Sequence, residues 1–242
     1  MAEWQFCALT DQGVKRKHNE DAVIAVPERA IWAVADGMGG HEAGDVASRL
    51  VTEALAAVSR PDNFSLFIDA VEDALVGVNQ HIRDHAEREF GGRMMGSTVV
   101  AMLGAQGYGA CVWAGDSRLY RLRNNELVAL SRDHSQVQRL VDAGVLSEDE
   151  AESHPQANVI TRAVGGAQAL VVDVAMFDVQ SGDRFLLCSD GLYNELSRDE
   201  IAARLGEGTV DAAAQSLIAQ TLAHGARDNV SVIVIEAGEA GS

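Results

Sequence analysis

Lysine is almost missing from this chain: Lys15 and Lys17 are the only two among 19 Lys+Arg, set against 36 Asp+Glu, for a formal net charge of -17. Such a surface repels nucleic acid and anionic membrane, so neither is expected as a partner. Cysteine is scarce as well. Cys7, Cys111 and Cys188 lie in the apolar runs QFCAL, GACVWA and FLLCSD and make no C-x-x-C pair, which reads as buried reduced thiols rather than a redox or metal site. None has an arginine at the spacing a cysteine-based phosphate hydrolase needs, since Gly13, Ser117 and Asn194 occupy those positions. Both lysines fall outside any glycine loop, which excludes the G-x-x-x-x-G-K-[ST] nucleotide cradle. No apolar run approaches the ~18 residues that span a bilayer, and MAEWQFCALT has neither a basic n-region nor an apolar h-region, so a cytoplasmic location is expected.

With 242 residues, 47% of them hydrophobic, the chain can bury a full core, and one compact domain over 1–236 with a flexible AGEAGS tail at 237–242 is expected. Short β-like runs cover Gln5 to Thr10, Ala22 to Val26 and Ala30 to Ala35. Helical spacing follows in Val46, Leu50, Ala54 and Val58, then in Phe67, Val71, Leu75, Val78 and Ile82. Thr98 to Leu103, Gly109 to Ala114, Leu119 to Leu122 and Glu126 to Leu130 read as a four-strand antiparallel meander. Residues 135–165 break that rhythm as a polar insertion, with a short helix at Val137 to Val141 and a capping box at Ser147 to Glu150. Strands at Leu170 to Phe177, Arg184 to Cys188 and Val230 to Ile235, with helices at Arg198 to Leu205 and Val210 to Leu222, complete the chain. Elements in blocks, without βαβ alternation, point to a layered α+β fold.

Two apolar runs stop at aspartate followed by glycine, at Asp36-Gly37 and Asp190-Gly191; Asp228 precedes the strand VSVIVIE, and Asp116 sits in the turn AGDSR. Carboxylates at strand ends suit hard cations, because the sheet fixes them while the loops leave a mouth open to water. Asp-Gly is also a common turn dipeptide, and spacing alone does not make the four converge. In R-K-H-N-E-D, Arg16 to Asp21, the guanidinium could pair bidentately with phosphate, or the segment could be a surface salt-bridge cluster. The glycine-rich Asp36 to Gly44 leads into a helix and could bring backbone close to an anion. His81 and His85 stand four apart on a helix but lack a neighbouring glutamate, and read as a solvated face.

Taken in order, R-x-x-N-E-D (Arg16 to Asp21), V-A-D-G-M-G-G-H (Val34 to His41), G-S-T (Gly96 to Thr98), G-D-S-R (Gly115 to Arg118), D-H-S (Asp133 to Ser135), S-D-G-L (Ser189 to Leu192) and D-N-V-S-V (Asp228 to Val232) resemble the bacterial branch of the protein phosphatase 2C (PPM) family. The resemblance implies a β-sandwich of two antiparallel sheets flanked by helices, and a metal-dependent serine/threonine phosphatase. It implies that Asp36 bridges two Mn²⁺ or Mg²⁺ ions, that Asp190 and Asp228 complete the first, and that the Gly37 carbonyl with Glu20 or Asp21 holds the second, directly or through water. Asp116 matches a residue that joins Asp190 at a third, weaker ion, and residues 135–165 match a flap beside the active site.

An all-oxygen ligand set suits Mg²⁺ or Mn²⁺, where Zn²⁺ would recruit His or Cys. Two such ions can activate a bridging water for direct in-line attack on phosphoserine or phosphothreonine, without a phosphoenzyme. Eukaryotic members carry a histidine after the D-G that is proposed as general acid; Met38 stands there in this chain, and His41 does not inherit the role. The implied partners are phosphorylated proteins and an opposing Ser/Thr kinase, with the enzyme a monomer. Two other readings stay open: a phosphatase dedicated to one anti-sigma-type antagonist, and a catalytically dead phosphoprotein-binding regulator, which the intact ligand positions disfavour.

Overall fold

The computed structural model describes residues 2–40, 42–147, 150–151 and 154–240. In chain order its elements are β1 (Ala2–Asp11), β2 (Asp21–Val26), β3 (Ile31–Met38), α1 (Glu42–Ala57), α2 (Phe64–Glu89), β4 (Gly96–Ser97), β5 (Val99–Gly104), β6 (Tyr108–Ala114), β7 (Arg118–Arg123), β8 (Glu126–Ala129), α3 (Gln136–Asp142), β9 (Asp173–Asp178), β10 (Arg184–Cys188), α4 (Asp190–Tyr193), α5 (Arg198–Leu205), α6 (Val210–His224) and β11 (Val230–Ala240). One sheet has the order β1-β11-β10-β7-β8 and the other β2-β3-β5-β6-β9, with the short β4 paired to β3. All pairings are antiparallel.

Central strands such as β10 and β11 are dominated by apolar residues because each is buried on both faces. Phe185, Leu187, Ile233 and Ile235 point between the sheets, where they meet Trp32, Val34, Val100 and Met102. Their alternates Leu186, Cys188, Val232 and Val234 point outward under α5 and α6. On the other side, α1 and α2 set Val51, Leu55, Phe67, Leu75 and Ile82 against Ile31, Ala33, Ala101 and Val112. The result is helix, sheet, sheet, helix, the layering the sequence implied. Helix starts are set by local hydrogen bonding: Asn63 caps α2, Thr209 caps α6, and Ser197 with Glu200 forms a capping box on α5. Ser147 and Glu150 make the reciprocal bonds expected of them, while Glu148 and Asp149 between them lie outside the described residues. Among the described residues no helix is long and apolar enough to cross a membrane.

Three expectations change. The four-strand meander is divided: β5 and β6 pair in one sheet, β7 and β8 in the other, and residues 115–117 carry the chain across the sandwich. The end of the insertion is not peripheral, since Val164 is fully buried in the core and bridges Ser97. β11 continues to Ala240, pairing with β1 as far as Ala2, so the segment read as a tail is strand up to that residue. Gly241 and Ser242 lie outside the described residues.

Candidate active site

The candidate site forms where five loops and strand ends converge at one end of the sandwich. Asp21 and Asp36 stand directly opposite each other in the β2–β3 register. Like charges in that position repel, so their pairing needs an outside compensation. The β3 strand does not stop at Asp36 as its apolar run suggests; Gly37 and Met38 continue it by pairing with Ser97 and Gly96. Asp190 opens α4 behind Ser189, Asp228 lies two residues before β11, and Asp116 lies in the crossing between the sheets. Glycine is required at two of these positions: a Cβ on Gly37 would stand 2.1 Å from the Gly44 carbonyl oxygen, and one on Gly191 1.9 Å from that of Asn229.

Asp21 is 8% exposed and Asp116 7%, whereas Asp36, Asp190 and Asp228 keep some surface toward the opening. Burial pushes Asp21 up to about 7, against the pull of two hydroxyl hydrogen bonds and with the charges of Asp190 and Asp228 adding to the rise. Burial, then the charge of Asp228, takes Asp190 up to about 6. Asp116 rises to about 8 through burial and then Asp190 and Asp133. Asp36 is held well above the carboxylate range, first by desolvation, although part of its surface is open, and then by Asp21, Asp190, Asp116 and Asp228. Asp190 and Asp228 raise their neighbours, and the acids cannot all ionise together without added positive charge.

Two oxygens mark where that charge fits. Asp21 Oδ1 and Asp190 Oδ1 are buried without a hydrogen-bond partner, although unpaired buried acceptors are costly. The other oxygen of Asp21 accepts from Ser189 Oγ at 2.8 Å and Ser231 Oγ at 2.7 Å, and that of Asp190 from Asn194 Nδ2 at 3.1 Å. A second cradle lies beside α1, where a Cβ on Gly44 would meet the Glu20 carboxylate carbon at 2.9 Å and the Gly37 carbonyl carbon at 3.0 Å. Glu20 and Asp21, adjacent in sequence, therefore serve different neighbourhoods, Glu20 beside Gly44 and Asp21 between the two serines. Among the described residues no group of three or more His, Cys, Asp or Glu side chains is gathered closely enough to hold a metal ion by itself, so bound water would have to supply part of any coordination shell. An open carboxylate set that leaves coordination positions to water is the arrangement Mg²⁺ and Mn²⁺ accept. The donor chemistry thus fits these ions.

Arg16 reaches the rim of the cluster and donates from Nη2 to Asp228 Oδ2 at 2.6 Å. Its side chain is 49% exposed. His81 is exposed and His85 lies against Phe90, away from this cluster. Cys111 and Cys188 are buried free thiols, and Cys7 is a half-buried one.

Several supporting residues were not singled out from the sequence. Ser189 and Ser231 hold Asp21, and Asn229 staples the Arg16 loop: its Oδ1 accepts from the Glu20 amide at 2.9 Å and its Nδ2 donates to the carbonyls of Gln12 and His18 at 2.8 and 2.9 Å. The signal was a polar side chain placed directly beside an aspartate or inside an apolar strand. The D-H-S segment fixes the Asp116 turn. Asp133 grips Arg118 through both oxygens at 2.9 and 2.7 Å, Arg118 lies 3.7 Å over the Tyr193 ring, and Tyr193 Oη donates to the Asp116 carbonyl at 2.9 Å. His134 Nδ1 accepts from the Gly115 amide at 3.1 Å.

The family described as Protein phosphatase 2C matches residues 13–225. The chain is 39% identical over 232 residues to serine/threonine protein phosphatase PstP of Mycobacterium tuberculosis, covering 96% of this chain and 45% of that protein, so it spans under half of that relative's length. It is 36% identical to serine/threonine phosphatase stp of Listeria monocytogenes, over 94% of this chain and 93% of that protein. A solved structure of the PstP catalytic domain in complex with two manganese ions superposes with a TM-score of 0.86 at 35% identity, covering 99% of this chain and 100% of that one. The chain belongs to the bacterial protein phosphatase 2C (PPM) family.

Proposed function

We propose that this chain is a metal-dependent protein serine/threonine phosphatase, acting in the cytoplasm as a monomer on phosphoserine and phosphothreonine in proteins and opposing a Ser/Thr kinase. The observation that carries the reading is the cluster of mutually repelling carboxylates with two orphaned buried oxygens at the mouth of the sandwich. The serine/threonine phosphatase names of the relatives and the two manganese ions of a structural neighbour support it.

Asp36 would bridge two Mn²⁺ or Mg²⁺ ions, Asp190 and Asp228 would complete the first, and the Gly37 carbonyl with Glu20 would hold the second. Asp116 with Asp190 would hold a third, weaker one. When bound, such ions supply the Lewis acidity that activates water and neutralises the phosphoryl charge of an in-line displacement. Asp21, fixed by Ser189 and Ser231, keeps one oxygen aimed into the cluster, where it can accept from water in the outer coordination sphere. Arg16 orients the substrate: a half-exposed ion pair with Asp228 holds it weakly, and a guanidinium with five N–H donors has others to offer the phosphoryl oxygens.

Chelator-treated protein should hydrolyse neither p-nitrophenyl phosphate nor a phosphothreonine peptide, and added Mn²⁺ or Mg²⁺ should restore both. Calorimetry on the same sample should count at least two ions. Asp36→Asn should keep the fold and lose nearly all turnover; a variant that retains more than a small percentage of wild-type activity rejects the bridging role, and metal-independent hydrolysis rejects the whole reading.

A further inference from the structure

A cavity of about 720 Å³ opens beside the carboxylate cluster, between β7, β8 and the first residue of α5 on one side and α3 with Ala151, Ala157 and Asn158 on the other. Its inner wall is shared with the site. Tyr193 and Asn194 line it, and these same residues donate to the Asp116 carbonyl and to Asp190 Oδ2. A group seated in the cavity therefore lies one side chain away from the place where the phosphoryl group would be held. Trp113, Tyr120, Val137 and Val141 give it an apolar lining.

The charge of its walls opposes that of the chain. Among the described residues Arg118, Arg132 and Arg198 line it against a single acid, Asp133, in a protein with almost twice as many acids as bases. Arg118 is committed to Asp133, which holds it through both oxygens. Arg132 is exposed and pairs with Asp142 of α3. Arg198 is exposed; among the described residues it donates only to the Leu127 carbonyl, at 2.9 Å, and no carboxylate forms an ion pair with it. It is also the first residue of α5, where the helix dipole disfavours a cation, so helix stability does not account for it. The overall negative field would turn acidic peptides away, but exposed charges more than about 8 Å apart are largely screened at physiological salt, so inside the cavity the local arginines decide.

We propose that this cavity is a side-chain subsite for a carboxylate-bearing residue flanking the phosphorylated one, with Arg198 and Arg132 as the groups that read it. The proposal rests on the phosphatase reading and names its substrate class: phosphoproteins with Asp or Glu near the phosphorylated residue. An extended peptide advances about 3.3 Å per residue, so a position within a few residues of the phosphate can place its side chain there.

The test uses matched phosphothreonine peptides in which Glu or Lys is moved through the three positions on either side, assayed with Mn²⁺ at low salt, with p-nitrophenyl phosphate reporting the chemistry of each variant. Wild type should favour the Glu peptide at one or more positions by roughly threefold to tenfold in kcat/KM, mainly through KM, and the ratio should shrink as salt rises. Arg198→Gln should bring the ratio toward unity and Arg198→Glu should invert it in favour of Lys, with Arg132→Gln as an independent second variant and melting temperatures recorded for all. No preference at any position in wild type, or a preference untouched by Arg198→Glu and Arg132→Gln, overturns the subsite while leaving the phosphatase reading intact. Failure to hydrolyse every peptide and p-nitrophenyl phosphate rejects both.

Discussion

Asp21 and Asp36 stand opposite each other in a paired register, in a protein that elsewhere gives buried acids a base or several donors: Asp183, 1% exposed at its side chain, is gripped by Arg123. At the cluster, Asp21 has only the two serine hydroxyls among the described side chains, and Asp190 and Asp228 have an amide and the rim guanidinium of Arg16. Arg16 separates substrate binding from metal chemistry. If its guanidinium grips the phosphoryl oxygens, Arg16→Ala removes charge-assisted hydrogen bonds worth about 1.5 to 3 kcal/mol, roughly a 10- to 150-fold loss in kcat/KM. Arg16→Lys should recover only part, because an ammonium lacks the planar fork. The rival is an ordinary half-exposed ion pair with Asp228, worth about 0 to 1 kcal/mol to stability and nothing to turnover. Steady-state kinetics with a phosphothreonine peptide, alongside melting curves, decide between them: wild-type kinetics in Arg16→Ala would leave only the ion pair.

At the scale of elements, the site depends on segments far apart in sequence being tied to the sandwich. Asn79, 2% exposed in α2, receives the Gly165 amide at 2.7 Å and donates to the Ala167 carbonyl at 3.1 Å, which anchors the returning end of the 135–165 insertion. Asn79→Ala strips both partners and should cost about 1 to 3 kcal/mol, with a fall in melting temperature of about 2 to 4 °C per kcal/mol and faster amide exchange around Gly165. An unchanged melting temperature and exchange rate would mean the insertion is held elsewhere. These ties are also where sequence reading ran out. Strands such as Arg184 to Cys188 and helices such as Arg198 to Leu205 were legible to the residue, because apolar period and capping residues are local signals. That β6 and β7 belong to different sheets was not, since a turn between antiparallel neighbours and a turn across a sandwich use the same residue types. The aspartates of the candidate site stood out at strand ends, whereas Ser189, Ser231 and Asn229 gain their meaning only from partners many residues away, Asp21 and the Gln12 to Glu20 loop.

For the molecule as a whole, the raised acids set how stability depends on pH and on cations. Burial and mutual repulsion push Asp190, Asp21 and Asp116 up to about 6, 7 and 8 in the folded protein, and hold Asp36 well above the ordinary carboxylate range, whereas an unfolded aspartate titrates near ~3.9. Between about pH 4 and pH 8 the folded state therefore holds more protons than the unfolded one, and stability falls as pH rises through that window. The acids with lowered pKa, such as Asp173 beside Arg162 and Glu195 beside Arg227, act in the opposite sense, but only as pH drops below the ordinary carboxylate range. The two groups do not compete near neutrality. Chelator-treated protein should thus melt at a lower temperature at pH 8 than at pH 5.5. A divalent ion that binds only the folded state at a hundred times its dissociation constant adds about 2.7 kcal/mol, and ligand deprotonation makes that binding tighter as pH rises. Mn²⁺ should therefore raise the melting temperature more at pH 8 than at pH 5.5 and flatten or reverse the pH trend. Asp36→Asn separates this from a nonspecific salt effect: it removes one of the repelling acids, so the metal-free protein should gain stability at pH 8 while the Mn²⁺-dependent increment shrinks. A melting temperature that rises from pH 5.5 to pH 8 without metal, or an Asp36→Asn protein with the full Mn²⁺ increment, would show that these acids are compensated within the chain.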